Sequence, residues 1–427
     1  MKRFSILFIA CLLVQGLFAQ QTLTIAAPEK AHFSPEKLHR IDELVQQYID
    51  SNWIAGAVSL VARDGQVIYY KAQGYNEKDK GTLLKKDDIF RIASQTKAVT
   101  SVAVMMLVEQ GKISLDDPIS KYIPGFAHPR VIDQYNATDT TYTTVPANRE
   151  PTIHDLLTHT SGISYAQIGT KMMNAVYYKA GVVGGIGLPE GTRLSDNIQR
   201  LSQVPLSFQP GAKWSYGLNT DVLGYVVEVV SGMSLDAFFR EKIFRPLGMN
   251  DTYFYLPPSK RDRLMMLYSY DTQRKLVQAP TVLNVNGDFI RDYPLSNTTF
   301  YSGGGGLSST AYDYAIFMQM LLNEGVYNGH RLLKPETVHL MTSNQIGELF
   351  NGNNKFGLGF QIVTETNKAG TPESQASFGW GGMFSSSYWI DPVKKIVAQF
   401  VLQIYPNPHA DILNKFTKLV YEAMDDR

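Results

Sequence analysis

The sequence predicts an α+β fold in which one antiparallel sheet, flanked by N- and C-terminal helices, is interrupted by a large and mostly helical insertion. Strand and helix patterns recur at both ends of the chain, whereas the middle third changes to helices and long polar loops. A length of 427 residues also exceeds the usual limit for one hydrophobic core. We therefore place an α/β sheet domain at 30–115 and 303–427, and a helical insertion domain at 116–302.

The N-terminus has the pattern of a secretory signal peptide, which we place at 1–19. A charged start precedes a long apolar run that ends in small residues at Ala19. The only cysteine, Cys11, lies inside this run, and a lipid anchor would require cleavage just before it. Because apolar residues continue beyond Cys11, we expect ordinary removal of the peptide and a secreted or periplasmic protein without a disulfide or a stable membrane span.

Composition indicates an ordinary globular protein. Hydrophobic residues make up 44% and charged residues 19% of the chain, and the formal net charge is +1. Such a balance gives no argument for binding to nucleic acid or to a membrane surface. The expected partner is a small molecule, and the oligomeric state stays open.

The first elements follow from local patterns near the N-terminus. Ser34 and Pro35 form a helix start, and apolar residues recur at helical spacing after them. Two β-rich runs at 54–62 and 66–74 flank the turn at 63–65, which predicts a hairpin.

The C-terminal end mirrors this arrangement, with strands predicted at 388–390 and 396–405 and a final helix at 410–424. Strands at both ends suggest one sheet assembled from the two termini. Within the insertion, helices are predicted at 152–160, 195–201, 221–231 and 234–244, and long irregular stretches at 137–150 and 256–300.

The segment 90–110 is the first that carries chemistry. A short loop enters an apolar helix that Gly111 ends, with Ser94 and Lys97 three residues apart at its start. A serine is a weak nucleophile until a base takes its proton, and a lysine is that base only when its pKa is lowered. The alternative is a chance Ser-x-x-Lys with a solvated lysine. Eleven uncharged residues after Lys97 argue against that alternative.

Tyr216 is the second candidate, because it lies on a loop that enters a predicted helix. A phenol beside an ammonium has its phenolate stabilised and can carry the proton between Ser94 and a leaving group. The alternative is a buried structural tyrosine.

The third candidate segment is the glycine-rich stretch 377–387. Glycines beside a strand mark close approach of the backbone to a ligand or to another segment. If this strand edge runs beside Ser94, the backbone N–H groups of Ser94 and Met383 can form an oxyanion hole. A β-bulge without a ligand is the alternative.

No cofactor or metal is predicted. The run 303–306 contains four glycines but lacks the Lys-Ser/Thr of a phosphate-binding loop. His154 and His159 lie on different helix faces without a third ligand at useful spacing, so His159 is expected in a buried hydrogen-bond network.

Together the three segments resemble the serine β-lactamase and penicillin-binding superfamily, most closely the branch of class C β-lactamases, D-alanyl-D-alanine carboxypeptidases and β-lactamase-fold esterases. The resemblance rests on Ser94 with Lys97, on Tyr216-Gly217-Leu218 and on Trp380-Gly381-Gly382. The framing segments 156–162, 244–249 and 303–310 also match. The resemblance implies a β-lactamase-like fold and an acyl-enzyme on Ser94, with Lys97 and Tyr216 managing its proton.

Two departures favour the esterase branch. Leu218 stands where the second motif of the superfamily has Asn, and the adjacent Asn219 is expected to point elsewhere. Trp380 replaces the cation that meets a substrate carboxylate in the third motif. We expect Trp380, Gly381, Gly382 and Leu218 to line the substrate site, and esters, or else amides, to be the substrates.

Two further hypotheses stay open at this point. The first is a β-lactamase, a D-alanyl-D-alanine carboxypeptidase or a D-aminopeptidase. The second is a catalytically inactive binding protein of the same fold.

Overall fold

A computed structural model describes residues 22–285, 287–350, 354–365 and 370–425. The predicted signal peptide and Cys11 lie outside the described residues. The strands, in chain order, are β1 Thr24–Ile25, β2 Gly56–Arg63, β3 Gln66–Glu77, β4 Thr82–Leu83, β5 Phe90–Arg91, β6 Arg130–Tyr135, β7 Tyr142–Pro146, β8 Tyr268–Tyr270, β9 Leu276–Gln278, β10 Val282–Asn284, β11 Asp288–Ile290, β12 Ser308–Ser309, β13 Val326–Tyr327, β14 His330–Arg331, β15 Lys355–Phe356, β16 Gln361–Ile362, β17 Phe378–Gly382, β18 Ser386–Asp391 and β19 Ile396–Val401.

The α-helices are α1 Pro35–Asp50, α2 Thr96–Glu109, α3 Ile153–Thr158, α4 Lys171–Lys179, α5 Leu194–Leu201, α6 Asn219–Ser231, α7 Leu235–Phe239, α8 Arg245–Leu247, α9 Ala311–Leu322, α10 Pro335–Met341 and α11 Asp411–Glu422. A π-helical turn over Arg240–Phe244 joins α7 to α8.

The central sheet is built from the two ends of the chain, as the sequence predicts. Its order is β1-β3-β2-β19-β18-β17-β16-β15, with β4 paired to β3. All pairs are antiparallel except β1 with β3. β2 pairs with β19, so that Leu60 lies opposite Gln399 and the N- and C-terminal halves meet in the middle of the sheet. Within the described chain, 116–302 contributes no strand to it.

Each face of the sheet carries its own core. On one face α1 and α11 pack together, with Ile41, Phe400 and Phe416 fully buried between them and the strands. On the other face α2 and α9 cover the sheet, and the same apolar cluster continues without a break into α3 and α6 of the insertion. β17, the strand beside the catalytic candidates, contacts the turn Ala93–Gln95 that carries Ser94.

The insertion differs in part from the expectation of a mostly helical unit. Helices α3, α5 and α6 lie where they are predicted, and the predicted helix at 234–244 divides at the π-helical turn. The stretches expected to be irregular contain the hairpins β8–β9 and β10–β11, and the strand β7, which pairs with β6 just before the first stretch. These strands are short, so their sequences lack the long alternating pattern of a strand in a large sheet.

In the described part of the chain, no helix alone has the length and apolarity to cross a membrane. One pair, Asn219–Ser231 with Leu235–Leu247, meets those criteria jointly but is bent by 79°.

Candidate active site

Ser94 lies in a tight turn between β5 and α2. Residues Ala93–Gln95 form a single 3-10 turn, and α2 starts at Thr96. Ala93 has a φ of 45°, a left-handed conformation that costs a non-glycine residue free energy and persists only where surrounding contacts impose it. The turn places Ser94 on the wall of a large cavity.

Lys97 is buried in the first turn of α2, and its ammonium group has three acceptors. Nζ donates to Ser94 Oγ at 3.3 Å, to Tyr165 Oη at 3.1 Å and to the carbonyl oxygen of Gly304. An ammonium group has three N–H donors, so every proton of a charged Lys97 is satisfied.

The electrostatics of the site keep Lys97 charged, which corrects the expectation that its pKa is lowered. Burial favours the neutral amine, but Tyr165, Tyr216 and the buried carboxylate of Asp221 together outweigh it and raise the pKa of Lys97 above its ordinary value. Lys97 is therefore an ammonium at neutral pH. An ammonium group in this place can stabilise negative charge on neighbouring oxygens.

Tyr216 makes the closest contact with the serine. Its hydroxyl lies 2.7 Å from Ser94 Oγ, and the ammonium of Lys97 lies 4.7 Å from the centre of its ring. Trp380 Nε1 donates to the same hydroxyl at 3.4 Å. A Cβ on Gly217 would lie 2.1 Å from the carbonyl oxygen of Ile163, so only glycine allows the loop after Tyr216 to pass that backbone. The three predicted catalytic side chains thus converge on one point.

The end of β17 approaches the serine turn closely. A Cβ on Gly382 would lie 2.6 Å from the carbonyl oxygen of Ile92, two residues before Ser94. Among the described residues, the backbone N–H groups of Ser94 and Met383 donate to no other group, and both residues line the same cavity. Two unpaired N–H groups beside a nucleophile are what an oxyanion hole requires.

Tyr165 is a site residue that the sequence analysis missed. Its hydroxyl accepts from Lys97, and its ring lies 5.3 Å from that of Tyr216. Burial, more than any neighbouring charge, raises its pKa, so Tyr165 remains a neutral phenol. The signal for it was the matching segment 156–162, which ends three residues before Tyr165.

Leu218 is not a substrate contact, contrary to the expectation. Its side chain is fully buried in the hydrophobic core and lines no part of the cavity, because it precedes α6 on the inner side of the loop. Gly381, Gly382 and Trp380 do line the cavity.

Asn219 points away from the serine, as predicted. Its side chain bonds to Ser161 and donates to His159 Nδ1 at 2.9 Å. Burial, helped by the charge of Lys97, holds the pKa of His159 well below its usual value. His159 is therefore a neutral member of a buried hydrogen-bond network.

The cavity has a volume of about 1310 Å³. On one side of Ser94 it is lined by the aromatic rings of Tyr216 and Trp380, whose centroids are 5.6 Å apart. The charged side chains that line it, among the residues the structure describes, are Glu373 and Lys418, and Lys418 belongs to α11 on the opposite face of the sheet. No cation for a substrate carboxylate stands beside Trp380 within this lining.

The whole chain resembles known serine hydrolases. The family model described as Beta-lactamase matches residues 41–422. Esterase EstB of Burkholderia gladioli is 32% identical over 367 residues, which cover 82% of this chain and 86% of that protein. A putative D-alanyl-D-alanine carboxypeptidase of Escherichia coli K12 is 29% identical over 428 residues, covering 96% and 90%. The structure of EstCE1, described as a hydrolase with promiscuous acyltransferase activity, is 28% identical with a TM-score of 0.76, covering 90% of this chain and 98% of that one.

Proposed function

This chain belongs to the Beta-lactamase family of serine hydrolases, and we propose that it is an exported hydrolase of uncharged esters that acts through an acyl-enzyme on Ser94. One observation carries the proposal. Ser94 Oγ lies 2.7 Å from the hydroxyl of Tyr216 and 3.3 Å from the ammonium of Lys97, at the wall of a large cavity.

Acylation begins when Ser94 Oγ attacks the ester carbonyl carbon. The proton of Ser94 passes to the oxygen of Tyr216, which acts as a phenolate because the ammonium of Lys97 stabilises negative charge there. The carbonyl oxygen becomes an oxyanion held by the N–H groups of Ser94 and Met383. As the tetrahedral intermediate collapses, Tyr216 returns the proton to the departing alkoxide, and an alcohol leaves.

Deacylation repeats these steps with water. Tyr216 takes a proton from a water molecule, the resulting hydroxide attacks the acyl carbon, and the proton returns to Ser94 Oγ as the carboxylic acid leaves. Between the two half-reactions Trp380 Nε1 holds the oxygen of Tyr216, and the ammonium of Lys97 lies over the ring of the same residue.

The cavity favours uncharged esters over β-lactams and D-amino-acid peptides. Both of those substrates present a carboxylate, and a charge-assisted hydrogen bond to it contributes about 1.5–3 kcal/mol. Trp380 supplies one N–H, and that N–H is engaged with Tyr216. Binding a carboxylated substrate therefore costs the free energy of removing its carboxylate from water, and no cation in the described cavity lining beside Trp380 offsets that cost.

The test is intact-mass analysis of the mature protein after incubation with p-nitrophenyl esters, nitrocefin and a fluorophosphonate probe. We expect rapid ester turnover, one phosphonate adduct, and loss of both in Ser94→Ala. The matched control is Ser101→Ala, because Ser101 is a buried serine on the same helix α2 outside the cavity lining. Ester turnover that persists in Ser94→Ala would refute the proposal. A stable penicillin adduct with little ester turnover would favour a β-lactamase or carboxypeptidase, and no acylation by any reagent would favour a binding protein.

A second candidate is acyl transfer to an alcohol other than water. The observation in its favour is the size of the cavity, which leaves room for an acceptor beside an acyl group, and EstCE1 is described as having such activity. Adding a primary alcohol to the ester assay distinguishes the two, because transfer yields a new ester in place of the free acid.

Export is proposed from the sequence of 1–19. The test is to express the full chain, including residues 1–19, in a Gram-negative host and to fractionate the cells. N-terminal sequencing is expected to find a periplasmic protein that starts after Ala19. A product that retains residues 1–19 in the cytoplasm would contradict it.

A further inference from the structure

One side of the cavity beyond Ser94 is apolar, and we call the side chains of Ile186, Val285, Phe289 and Met383 the apolar wall. All four line the cavity and belong to one hydrophobic cluster, separate from the two main cores, that also contains Ala93. Val285 and Phe289 are almost fully buried by their neighbours, which fixes the position of the wall.

The wall lies next to the serine turn. A Cβ on Gly305 would be 3.1 Å from Ile186 Cγ2 and 3.9 Å from the carbonyl carbon of Ala93, so Ile186 and the residue before the nucleophile border the same glycine. Met383 joins the wall by its side chain while its backbone N–H is free for the oxyanion. The wall therefore begins where the acyl carbon is held.

The geometry of the proposed reaction decides which part of an ester meets the wall. Tyr216 delivers a proton to the departing alcohol, so the alcohol lies on the side of Tyr216 and Trp380. With the oxyanion beside Met383 N–H, the direction left for the acyl chain is along the apolar wall. We propose that the wall is an acyl-binding subsite for extended or bulky apolar acyl groups, which makes esters of such acids the substrate class.

This inference rests on the proposed ester hydrolysis, and its test varies the acyl and alcohol parts independently. The probes are p-nitrophenyl acetate, butyrate and octanoate, and a series of octanoates with different alcohols. A buried methylene contributes about 0.8 kcal/mol, roughly fourfold in binding. In Ile186→Ala, kcat/KM for octanoate is expected to fall about tenfold relative to acetate, and Ile186→Trp should block octanoate while retaining acetate.

Val282→Ala is the matched control, because Val282 lies on the hairpin that carries the wall, is 49% exposed and does not line the cavity. The ratio of kcat/KM for octanoate to kcat/KM for acetate, measured on one preparation, does not depend on the fraction of protein that is folded. Ile168→Ala provides a second variant with little risk to folding, since Ile168 is 56% exposed at the cavity. An unchanged octanoate-to-acetate ratio, or an effect confined to the alcohol series, would overturn the assignment. Absence of ester turnover in the wild type would instead overturn the proposed function.

A second inference concerns Asp221, a buried carboxylate of α6 that takes no part in the steps above. Asp221 Oδ1 accepts from Ser302 Oγ at 2.6 Å and from the N–H of Gly304 at 3.3 Å. Its Oδ2 is buried without a partner among the described residues, and a Cβ on Gly304 would lie 2.4 Å from it. Gly304 in turn accepts the hydrogen bond from Lys97, so one glycine stands between the two charges.

We infer that Asp221 is a positioning residue that balances the charge of Lys97 and fixes the Gly304 carbonyl beneath it. The groups that face Lys97 are the carboxylate of Asp221, the phenols of Tyr165 and Tyr216, and the neutral imidazole of His159. Asp221 supplies the only negative charge among these side chains when both phenols are protonated. Its removal therefore lets Lys97 lose its proton at lower pH.

Asp221→Asn keeps the shape of the side chain and an oxygen that accepts from Ser302, but it removes the negative charge. Ser302→Ala is the matched control, because it breaks the hydrogen bond between Ser302 and Asp221 and leaves the charge in place. In Asp221→Asn the alkaline limb of the kcat profile is expected to move to lower pH, with KM for acetate little changed. Ser302→Ala should lower stability but leave the limb in place. An unshifted limb in folded Asp221→Asn, shown by an unaltered circular dichroism spectrum, would refute the inference.

Discussion

Replacing Tyr216 by Phe tests whether the phenol or the lysine takes the proton of Ser94. The substitution removes one oxygen that lies 2.7 Å from Ser94 Oγ and leaves the ammonium of Lys97 at 3.3 Å. General-base catalysis contributes about 10²–10⁴-fold, or roughly 3–5 kcal/mol of activation free energy. Because Lys97 is charged, it offers no spare lone pair to replace the lost base. We therefore expect kcat/KM for p-nitrophenyl acetate to fall within that range in Tyr216→Phe.

Tyr165→Phe is the matched control for this measurement. It removes the other phenol that contacts Lys97, at 3.1 Å, but that phenol has no hydrogen bond to Ser94. The loss of one hydrogen bond to an ammonium predicts about a tenfold effect on kcat/KM, corresponding to 1.5 kcal/mol. Steady-state kinetics across pH 5–10, with active-site titration by a fluorophosphonate, measures both variants. If kcat/KM falls equally in Tyr216→Phe and Tyr165→Phe, or if Tyr216→Phe keeps more than a tenth of the wild-type kcat/KM, then Lys97 takes the proton of Ser94.

Three further predictions concern the surroundings of this pair. Gly217→Ala places a Cβ 2.1 Å from the carbonyl oxygen of Ile163, so it should lower both the melting temperature and the ester activity. A variant that melts at the wild-type temperature would show that the backbone accommodates the Cβ. The pKa of buried His159 is depressed, so below pH 6.5 this residue binds a proton in the unfolded chain but not in the folded one. His159 alone should therefore lower the free energy of unfolding by about 1.4 kcal/mol for each pH unit below 6.5. Urea unfolding of wild type and His159→Gln at pH 5 and 7.5 checks this, and an equal effect of pH on both proteins would count against it. Trp380→Arg should raise kcat/KM for carboxylated esters about tenfold relative to neutral ones, and an unchanged ratio would show that another group binds the carboxylate.

The sequence predicted the four central strands of the sheet because these are its long, strongly patterned elements, whereas the two-residue strands β1, β4, β15 and β16 were not predicted. β2, β3, β18 and β19 lie where alternating or apolar runs predict them, and α1 begins at Pro35 with Ser34 as its cap. The catalytic side chains were predictable for a different reason. Ser94, Lys97 and Tyr216 lie at turns and helix starts whose neighbours are fixed by backbone geometry, such as Gly217 beside Ile163, so local sequence there is tightly constrained.

What the sequence missed depends on contacts between segments far apart in the chain. Tyr165 was not predicted because its place in the site comes from its contact with Lys97, 68 residues earlier, and the matching segment 156–162 ends before it. Leu218 was misplaced because motif spacing locates a residue along the chain but not the direction of its side chain.

The charge state of Lys97 shows most clearly why side-chain contacts decide the chemistry. A lysine in an apolar helix suggests a neutral amine, because burial disfavours charge. In the folded protein the same burial brings two phenols, a glycine carbonyl and a carboxylate around the ammonium, and their combined attraction exceeds the cost of desolvation. For this reason the proposed mechanism assigns the proton of Ser94 to the oxygen of Tyr216 and not to Lys97.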